Sequence, residues 1–528
     1  MTQGPILISG AGIAGLTAAF WLARSGLRVV IVEQAPSLRA EGHAVDLWGS
    51  AVAIAAQMGI KERLLNAATQ NSIGTLIARG GWRTRISLGS FSADIHSDHI
   101  EVMRSTLIDA LASASGDRIE IRYGVQVETI TQQDKICDVT LSNGERLRPL
   151  AVIGADGLHS RVRTLVFGRA LNFEQALGGR LALWTMPNRL KLQGRILRYL
   201  APDRTMVAYP VPGGDDLAVI ALYRKPGPSV KSGADSWRAE VIALFGHDAD
   251  PVRDLLAGLG DGDQGFADEI SMIEMSAWHR GRVVLIGDAG FGPGAALGGG
   301  TGLAILSAYL LAARIIRNGV GRGLAAYTED MRPLVAASQQ VGPAMMKALI
   351  PRSNFGIGAT LAVTAVLARL PAWLRRKLPL VPRRARDGLR EIAHFPLPDC
   401  PANLEGDMRV REDDQHILWD MEKAFWLEGV EAYRRDMAGD AVMLFPAPAG
   451  IMQGAAILDA LAEAPRWQEV EMADSRLTRH SDSVATLVYK AQAVRDDAQY
   501  QAFCSSAYLL AEGEWKLIQH QQTPISKE

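Results

Sequence analysis

Three glycines near the N-terminus, Gly10, Gly12 and Gly15, constrain this chain more than any other feature. They lie in Ile6-Leu7-Ile8-Ser9-Gly10-Ala11-Gly12-Ile13-Ala14-Gly15. A short apolar run of strand type precedes them. Leu16-Thr17-Ala18-Ala19-Phe20-Trp21-Leu22-Ala23 follows, with apolar positions at helical spacing. A second apolar run, Arg28 to Val32, ends at Glu33. Strand, glycine turn, helix, strand and acid, in that order, is the setting in which G-x-G-x-x-G marks a dinucleotide-binding unit. Gly10 permits the tight turn, Gly12 lets a pyrophosphate approach the backbone, and Gly15 lets helix and strand pack closely. The helix N-terminus offers N–H groups and partial positive charge to phosphates, and Glu33 can accept hydrogen bonds from a ribose diol.

The chain has 528 residues, so two to four domains are expected. Its net charge of -1 supplies no global field to recruit nucleic acid or an anionic membrane. Cys137, Cys400 and Cys504 are too far apart for a zinc spacing or a disulfide framework, which suits a reducing, cytoplasmic setting. The first strand starts at once, so no signal peptide is expected. The apolar run 355–368 falls short of the ~20 residues of a spanning helix. Arg369, Arg375, Arg376, Lys377, Arg383, Arg384 and Arg386 follow it, interleaved with prolines. Residues 346–404 therefore read as a helix packed on the protein and a solvated basic linker, with a membrane-surface helix as the competing reading.

Two further strand tips deliver a glycine and an acid. One is Ala151-Val152-Ile153-Gly154-Ala155-Asp156-Gly157, with a polar helix start after it. The other is Val283-Val284-Leu285-Ile286-Gly287-Asp288-Ala289, followed by Pro293, Gly294, Gly298, Gly299, Gly300, Thr301 and Gly302. Singly, each could be a turn in which Asp caps the next helix. In this order, after the N-terminal fingerprint, they resemble the flavin-dependent aromatic hydroxylases related to p-hydroxybenzoate hydroxylase. The stretch Gly42 to Gly49 is similar to the branch with polyketide hydroxylases and tetracycline-inactivating monooxygenases.

The resemblance implies an α/β Rossmann-type domain binding FAD, from residues 1–175 and 276–345. It implies that Gly10, Gly12, Ala14, Gly15, Glu33, Gln34 and Arg39 serve the adenosine-diphosphate end. Asp156 would support FAD and a visiting NADPH or NADH, and Asp288 would lie near the ribityl chain. Pro293, Gly300 and Thr301 would lie beneath the flavin ring, and Arg104 would face the cofactor. The implied reaction is hydroxylation: NAD(P)H reduces FAD, O2 forms a flavin hydroperoxide, and oxygen passes to an aromatic or polyketide-like small molecule. No side chain need act as a nucleophile, so no catalytic residue is singled out. An FAD-dependent reductase or oxidase without oxygen insertion stays open, because isoprenoid-chain reductases share these motifs.

Between the second and third motifs, residues 176–275 hold short strand-like runs rich in β-branched and aromatic residues. They predict an inserted, mostly antiparallel sheet roofing the flavin. Trp184, Tyr199, Tyr209 and Tyr223 are candidates for lining the substrate pocket, although alternation turns about half of any strand's residues away. From residue 405 to 528 a helix containing Trp419, Phe425 and Trp426 precedes several strands, predicting a C-terminal α+β roll. It resembles the SnoaL-like, nuclear-transport-factor-2-like superfamily, whose cone-shaped fold holds a pocket. That implies a binding or dimerisation module, with His480 and His520 as acid–base groups should they face the pocket. Asp94, His96 and Asp98 have metal-ligand types but no partner cluster, so no metal is expected.

Overall fold

The computed structural model describes residues 4–38, 43–87, 96–133, 136–169, 172–224, 236–260, 265–294, 299–370, 383–400, 404–446, 450–462, 464–481, 484–496, 498–511 and 514–525. They form two compact units, Met1–Leu404 and Glu405–Glu528.

The first unit contains a six-stranded sheet. Its order is His279–Arg280, Val283–Leu285, Ala151–Gly154, Ile6–Ser9, Val29–Glu33 and Glu120–Tyr123. All neighbours are parallel except the first pair. Parallel sheets are covered on both faces, which is why the four central strands read as near-unbroken Val, Ile and Leu runs and are buried along almost all their length, while the two edge strands are not. The helix Ile13–Arg24 and the helix Gly300–Leu349 pack against each other in this layer. The latter is kinked at Gly319, whose φ of 71° no ordinary helix residue adopts. One stretch of it is long and apolar enough to cross a membrane, but 67% of that stretch is buried inside the protein.

A seven-stranded sheet runs Gly265–Ile273, Glu174–Pro187, Asp216–Tyr223, Arg204–Pro210, Arg195–Ala201, Ile73–Ala78, Arg83–Ser87. Its pairs are antiparallel except Arg195–Ala201 with Ile73–Ala78. Two of its strands thus come from the early segment assigned by sequence to the cofactor domain. One face is covered by the helices Ser236–Phe245 and Val252–Ala257, through Trp237, Val241, Phe245, Val252 and Leu255. The other face packs on Met103, Met346 and Ile350 of the cofactor layer.

The basic linker reading needs correction at its end. Arg383, Arg384 and Arg386 lie on a helix, Arg383–Ala393, that packs on Gly300–Leu349. Its buried residues Ala385, Gly388, Leu389 and Ile392 recur at i, i+3, i+4 and i+7, an apolar stripe the arginines obscure. A Cβ at Gly388 would lie 2.5 Å from the Ala337 carbonyl oxygen, so the two helices touch backbone to backbone there.

The second unit has helices Leu404–Leu427 and Val430–Asp436, separated by Gly429 with φ 68°, and the first carries Trp419, Phe425 and Trp426 as expected. Its six-stranded sheet runs Gly450–Gln453, Met437–Phe445, Glu514–Pro524, Ala498–Ala511, Val484–Arg495, Glu469–Ser481. Leu418, Phe425, Tyr433, Met443, Leu487, Tyr508 and Leu517 form a core between helices and sheet.

Candidate active site

The six-stranded sheet aligns the tips of its parallel strands. Ser9 is in register with Gly154 and with Val32, and Gly154 with Leu285. Each acid or glycine turn singled out in the sequence follows one of these tips. The strand order reverses beside Ile6–Ser9, because the chain goes first to Val29–Glu33 on one side and later to Ala151–Gly154 on the other. Open α/β sheets form their ligand crevice at such a point.

The glycine turn is built by close packing at two positions and clearance at a third. A Cβ at Gly10, whose φ is 105°, would meet the Ala155 carbonyl oxygen at 2.5 Å. One at Gly15 would meet the Gly10 carbonyl oxygen at 2.0 Å. A Cβ at Gly12 would meet nothing within 4 Å. Gly12 caps the helix Ile13–Arg24 without any side-chain hydrogen bond. The turn therefore offers open backbone at a helix N-terminus, the arrangement that suits a phosphate.

Glu33 holds this turn. Its Oε2 accepts the Ala11 N–H at 2.9 Å and its Oε1 accepts the Ala35 N–H at 2.9 Å. A carboxylate has about four lone-pair sites, so it keeps capacity for a diol. Gln34, beside it, is exposed. Arg39 lies outside the described residues.

The third motif meets the first. A Cβ at Gly287 would lie 3.0 Å from the Ala14 Cβ and 3.5 Å from the Ala304 Cβ, so the helix starts carrying Ala14 and Ala304 flank Gly287. Asp288 is exposed, yet protein surrounds it enough that burial raises its carboxyl pKa against the opposing pull of the Arg104 charge. A carboxyl that keeps solvent contact while protein crowds it is placed to meet a ligand. Among the described residues no donor hydrogen-bonds this carboxyl. Pro293 is buried, and a Cβ at Gly300 would sit 3.8 Å from both Asp288 Oδ1 and Pro293. Asp288, Pro293 and Gly300 thus share one spot, with Thr301 next along the helix. Gly298 lies outside the described residues.

Arg104 opens the helix Arg104–Ser115, and its N–H donates to the His43 carbonyl oxygen at 3.1 Å. Its charge acts on both Asp288 and His43. Burial, with Arg104 second, lowers the His43 pKa to about 4, so the imidazole is neutral at ordinary pH. The sequence resemblance over Gly42–Gly49 did not single out His43. Only its spacing ahead of the strand Ala44–Trp48 could have suggested it.

Asp156 caps a helix. Its carboxylate accepts from Ser160 Oγ at 2.5 Å, Arg161 N–H at 2.9 Å and Val162 N–H at 3.0 Å, and burial raises its pKa. Its Cα also lies 3.0 Å from where a Gly10 Cβ would be, so the second motif abuts the first. A residue the sequence reading missed ties the second motif to the third. Arg163, fully buried, donates to the Ala289 carbonyl at 2.9 Å and the Leu158 carbonyl at 2.6 Å.

Three of the four aromatic pocket candidates are displaced. Trp184, Tyr199 and Tyr223 pack among Trp237, Val241 and Phe245, on the sheet face turned away from the cofactor layer. Alternation puts their neighbours Leu183, Ile220 and Leu222 on the inner face instead. Of the four, Tyr209 alone is on that inner face, where its hydroxyl oxygen accepts the Ala44 N–H at 2.8 Å. The buried cluster around Tyr209 is otherwise aliphatic and methionine side chains, with Leu181, Leu183, Ile220 and Leu222 from the sheet, while Arg198 and Thr205 farther along the same face bond the Ala348 and Leu349 carbonyls. The metal reading gains nothing: Asp94 lies outside the described residues, and among these no metal-binding cluster occurs.

A family model described as an FAD binding domain matches residues 3–177. A flavin-dependent monooxygenase from an unknown prokaryotic organism is 30% identical over 342 residues, covering 64% of this chain and 87% of the relative. Monooxygenase CTB7 of Cercospora beticola is 28% identical over 375 residues, covering 67% of this chain and 89% of the relative. The crystal structure of tetracycline destructase Tet(51) superposes with a TM-score of 0.63 at 25% identity, over 75% of this chain and 100% of that one. The chain belongs to the flavin-dependent monooxygenases. Its cofactor is FAD, its fold is the FAD-binding hydroxylase fold, and it is an enzyme acting on a small molecule with O2.

Proposed function

We propose that the enzyme hydroxylates an aromatic or polyketide-like small molecule at the face between Tyr209 and Asp288, using NADPH or NADH as reductant. The observation that carries this is the convergence of three separated motifs: Gly12 with open space above it, Asp156 abutting Gly10, and Gly287, next to Asp288, against Ala14. Bound FAD, once reduced, supplies the activated oxygen. The chain's own residues bind, orient and exclude water. Gly10, Gly12, Ala14, Gly15, Glu33, Gln34 and Arg39 would hold the adenosine-diphosphate end, Asp288 a hydroxyl-bearing portion of the cofactor, and Pro293, Gly300 and Thr301 the ring. Arg104 supplies positive charge beside it. Asp156 acts through the backbone it caps, positioning the turn that abuts Gly10. Neutral His43 can accept a hydrogen bond from a phenolic or enolic substrate. The aliphatic part of the inner sheet face, through Leu183 and Ile220, favours apolar polycyclic substrates and keeps water out.

The second unit, by the resemblance of its order of helices followed by a mostly antiparallel sheet, is a SnoaL-like cone that serves binding or dimerisation. The free cysteines Cys137, Cys400 and Cys504 fit a cytoplasmic location. The domain assignment proposed is a cofactor layer, an inserted sheet joined by the strands Ile73–Ala78 and Arg83–Ser87, and this C-terminal unit.

The test begins with flavin absorbance of the purified chain. NADPH and NADH oxidation is then screened over phenols, anthraquinones and tetracyclines under heavy-oxygen-labelled O2. Substrate-stimulated oxidation with label in the product is expected. Product without label would replace this reading with an FAD-dependent reductase or oxidase.

A further inference from the structure

The edge of the seven-stranded sheet carries a feature with no part in the reaction. The helix Asn354–Arg369 is apolar on two sides. Ile357, Leu361, Thr364 and Leu367 are buried, and Ile357 and Leu361 pack on Leu76 and Leu200 of the sheet. Phe355, Ala359, Ala362, Val363 and Val366 form a second stripe at i, i+4, i+7, i+8 and i+11, and all five are exposed. Phe355 is 87% exposed, a degree rare for phenylalanine on a free protein surface. Trp82, 47% exposed, adjoins the helix, its ring 4.0 Å from where a Gly358 Cβ would be.

Beside this stripe is a cavity of about 440 Å³ lined by Thr75, Arg83, Thr84, Arg85, Ala365 and Arg369. The three arginines are exposed, and among the described residues none has an ion-pair partner. The sequence has no Asp or Glu from 72 to 87 or from 350 to 382, and Arg375, Arg376 and Lys377 follow the helix. In a chain of net charge -1 this is a local concentration of cations, not a global excess.

We propose that this face docks the enzyme on an anionic lipid bilayer, with headgroup phosphates in the arginine cavity and the outer helix stripe in the acyl boundary. An apolar helical stripe, a neighbouring tryptophan and arginines without an ion-pair partner among the described residues are the combination that suits a charged interface. The stripe itself has no hydrogen-bonding side chain, and among the described residues the arginines have no acid partner, which favours lipid over a folded protein partner. Docking would set the enzyme beside the phase that dissolves apolar polycyclic compounds.

The test is flotation of the full-length, flavin-loaded chain with phosphatidylglycerol–phosphatidylcholine vesicles, against pure phosphatidylcholine. Binding to the anionic vesicles alone, weakened by added salt, is expected. Each arginine near such a surface contributes roughly fivefold, so the triple variant Arg83→Glu, Arg85→Glu, Arg369→Glu should lose on the order of a hundredfold in partition or more. Phe355→Ser with Val363→Ser should also weaken binding, and both variants should keep flavin content and turnover. Absent binding, equal binding to neutral vesicles, or binding unaltered by the triple variant would overturn the proposal. So would inorganic phosphate stabilising the wild type but not the triple variant without vesicle binding, which would mark a free-anion site. A dimer abolished by Phe355→Ser without vesicle binding would mark a self-interface instead.

Discussion

Two carboxyls crowded by protein, one in each unit, are handled in opposite ways. In the second unit Glu422 is fully buried. Its Oε1 accepts from Tyr489 at 2.8 Å and from Ser506 at 2.6 Å, and its Oε2 from Tyr508, while His520 Nδ1 lies 3.4 Å from Oε1. Burial alone would raise its pKa, but hydrogen bonding led by His520 outweighs it and holds the carboxyl below its ordinary value. In the first unit Asp288 has no such donors among the described residues, and burial wins. A carboxyl satisfied from within is a folding element, whereas one left with open lone pairs in contact with solvent is set for a ligand. His520, one of the two histidines nominated as acid–base groups, is 2% exposed and spends its ring nitrogens on Ser506 at 2.7 Å and Gln522 at 3.1 Å. That network argues for architecture in the second unit and chemistry in the first.

The sharpest way to break this contrast is to remove Glu422. Glu422→Ala leaves three hydroxyls without their acceptor and the His520 imidazole without its buried carboxylate neighbour, so the second unit should lose about 3–5 kcal/mol, read by denaturant unfolding. Flavin content should not change; flavin loss would mean that Glu422 serves the cofactor. Asp288→Asn should do the reverse. Apo stability at neutral pH should hold or rise, because a desolvated charge disappears. FAD affinity, followed by flavin fluorescence on dilution, should fall by a hydrogen bond's worth, about 1–3 kcal/mol. Retained affinity would sink the reading of Asp288 as a cofactor ligand. A pair of tyrosines extends the comparison at about 1 kcal/mol each. Tyr508→Phe should cost stability in the second unit and leave turnover alone. Tyr209→Phe, which frees the Ala44 N–H, should raise KM or lower kcat with little change in unfolding.

The cofactor end of the first unit was legible because its constraints are local. Gly10 and Gly15 are needed where Cβ atoms would strike backbone, and Gly12 where a ligand approaches, so spacing alone announces them. The substrate face was not legible for the opposite reason. Alternation tells which of Trp184, Tyr199, Tyr209 and Tyr223 share a face with their strand neighbours, but not which face the helices Ser236–Phe245 and Val252–Ala257 will cover. Aromatic residues were drawn to that helix-covered core by their burial value, not by substrate. Arg163 was missed because an arginine's usual place is the surface. Its burial follows from two carbonyls, of Ala289 and Leu158, that only the assembled motifs bring together.

The smallest expected effect is also the most specific, since it rests on sign. Asp288 has a folded pKa above its unfolded value, so folding disfavours its charged form; the penalty is present at neutral pH and fades as acid protonates it. Glu422 has a folded pKa below its unfolded value, so its contribution is present at neutral pH and is lost as pH falls through the folded pKa. His43 complicates the wild-type curve: its lowered pKa removes stability between about 6.5 and 4. Subtracting variants cancels that term. The stability of Asp288→Asn minus wild type should be positive at pH 7 and shrink on acidification. The value for Glu422→Gln minus wild type should be negative at pH 7 and also shrink, mainly below the ordinary carboxyl range. Two difference curves of the same sign would mean that both carboxyls are folding elements, and the division between a ligand site and a core network would fail.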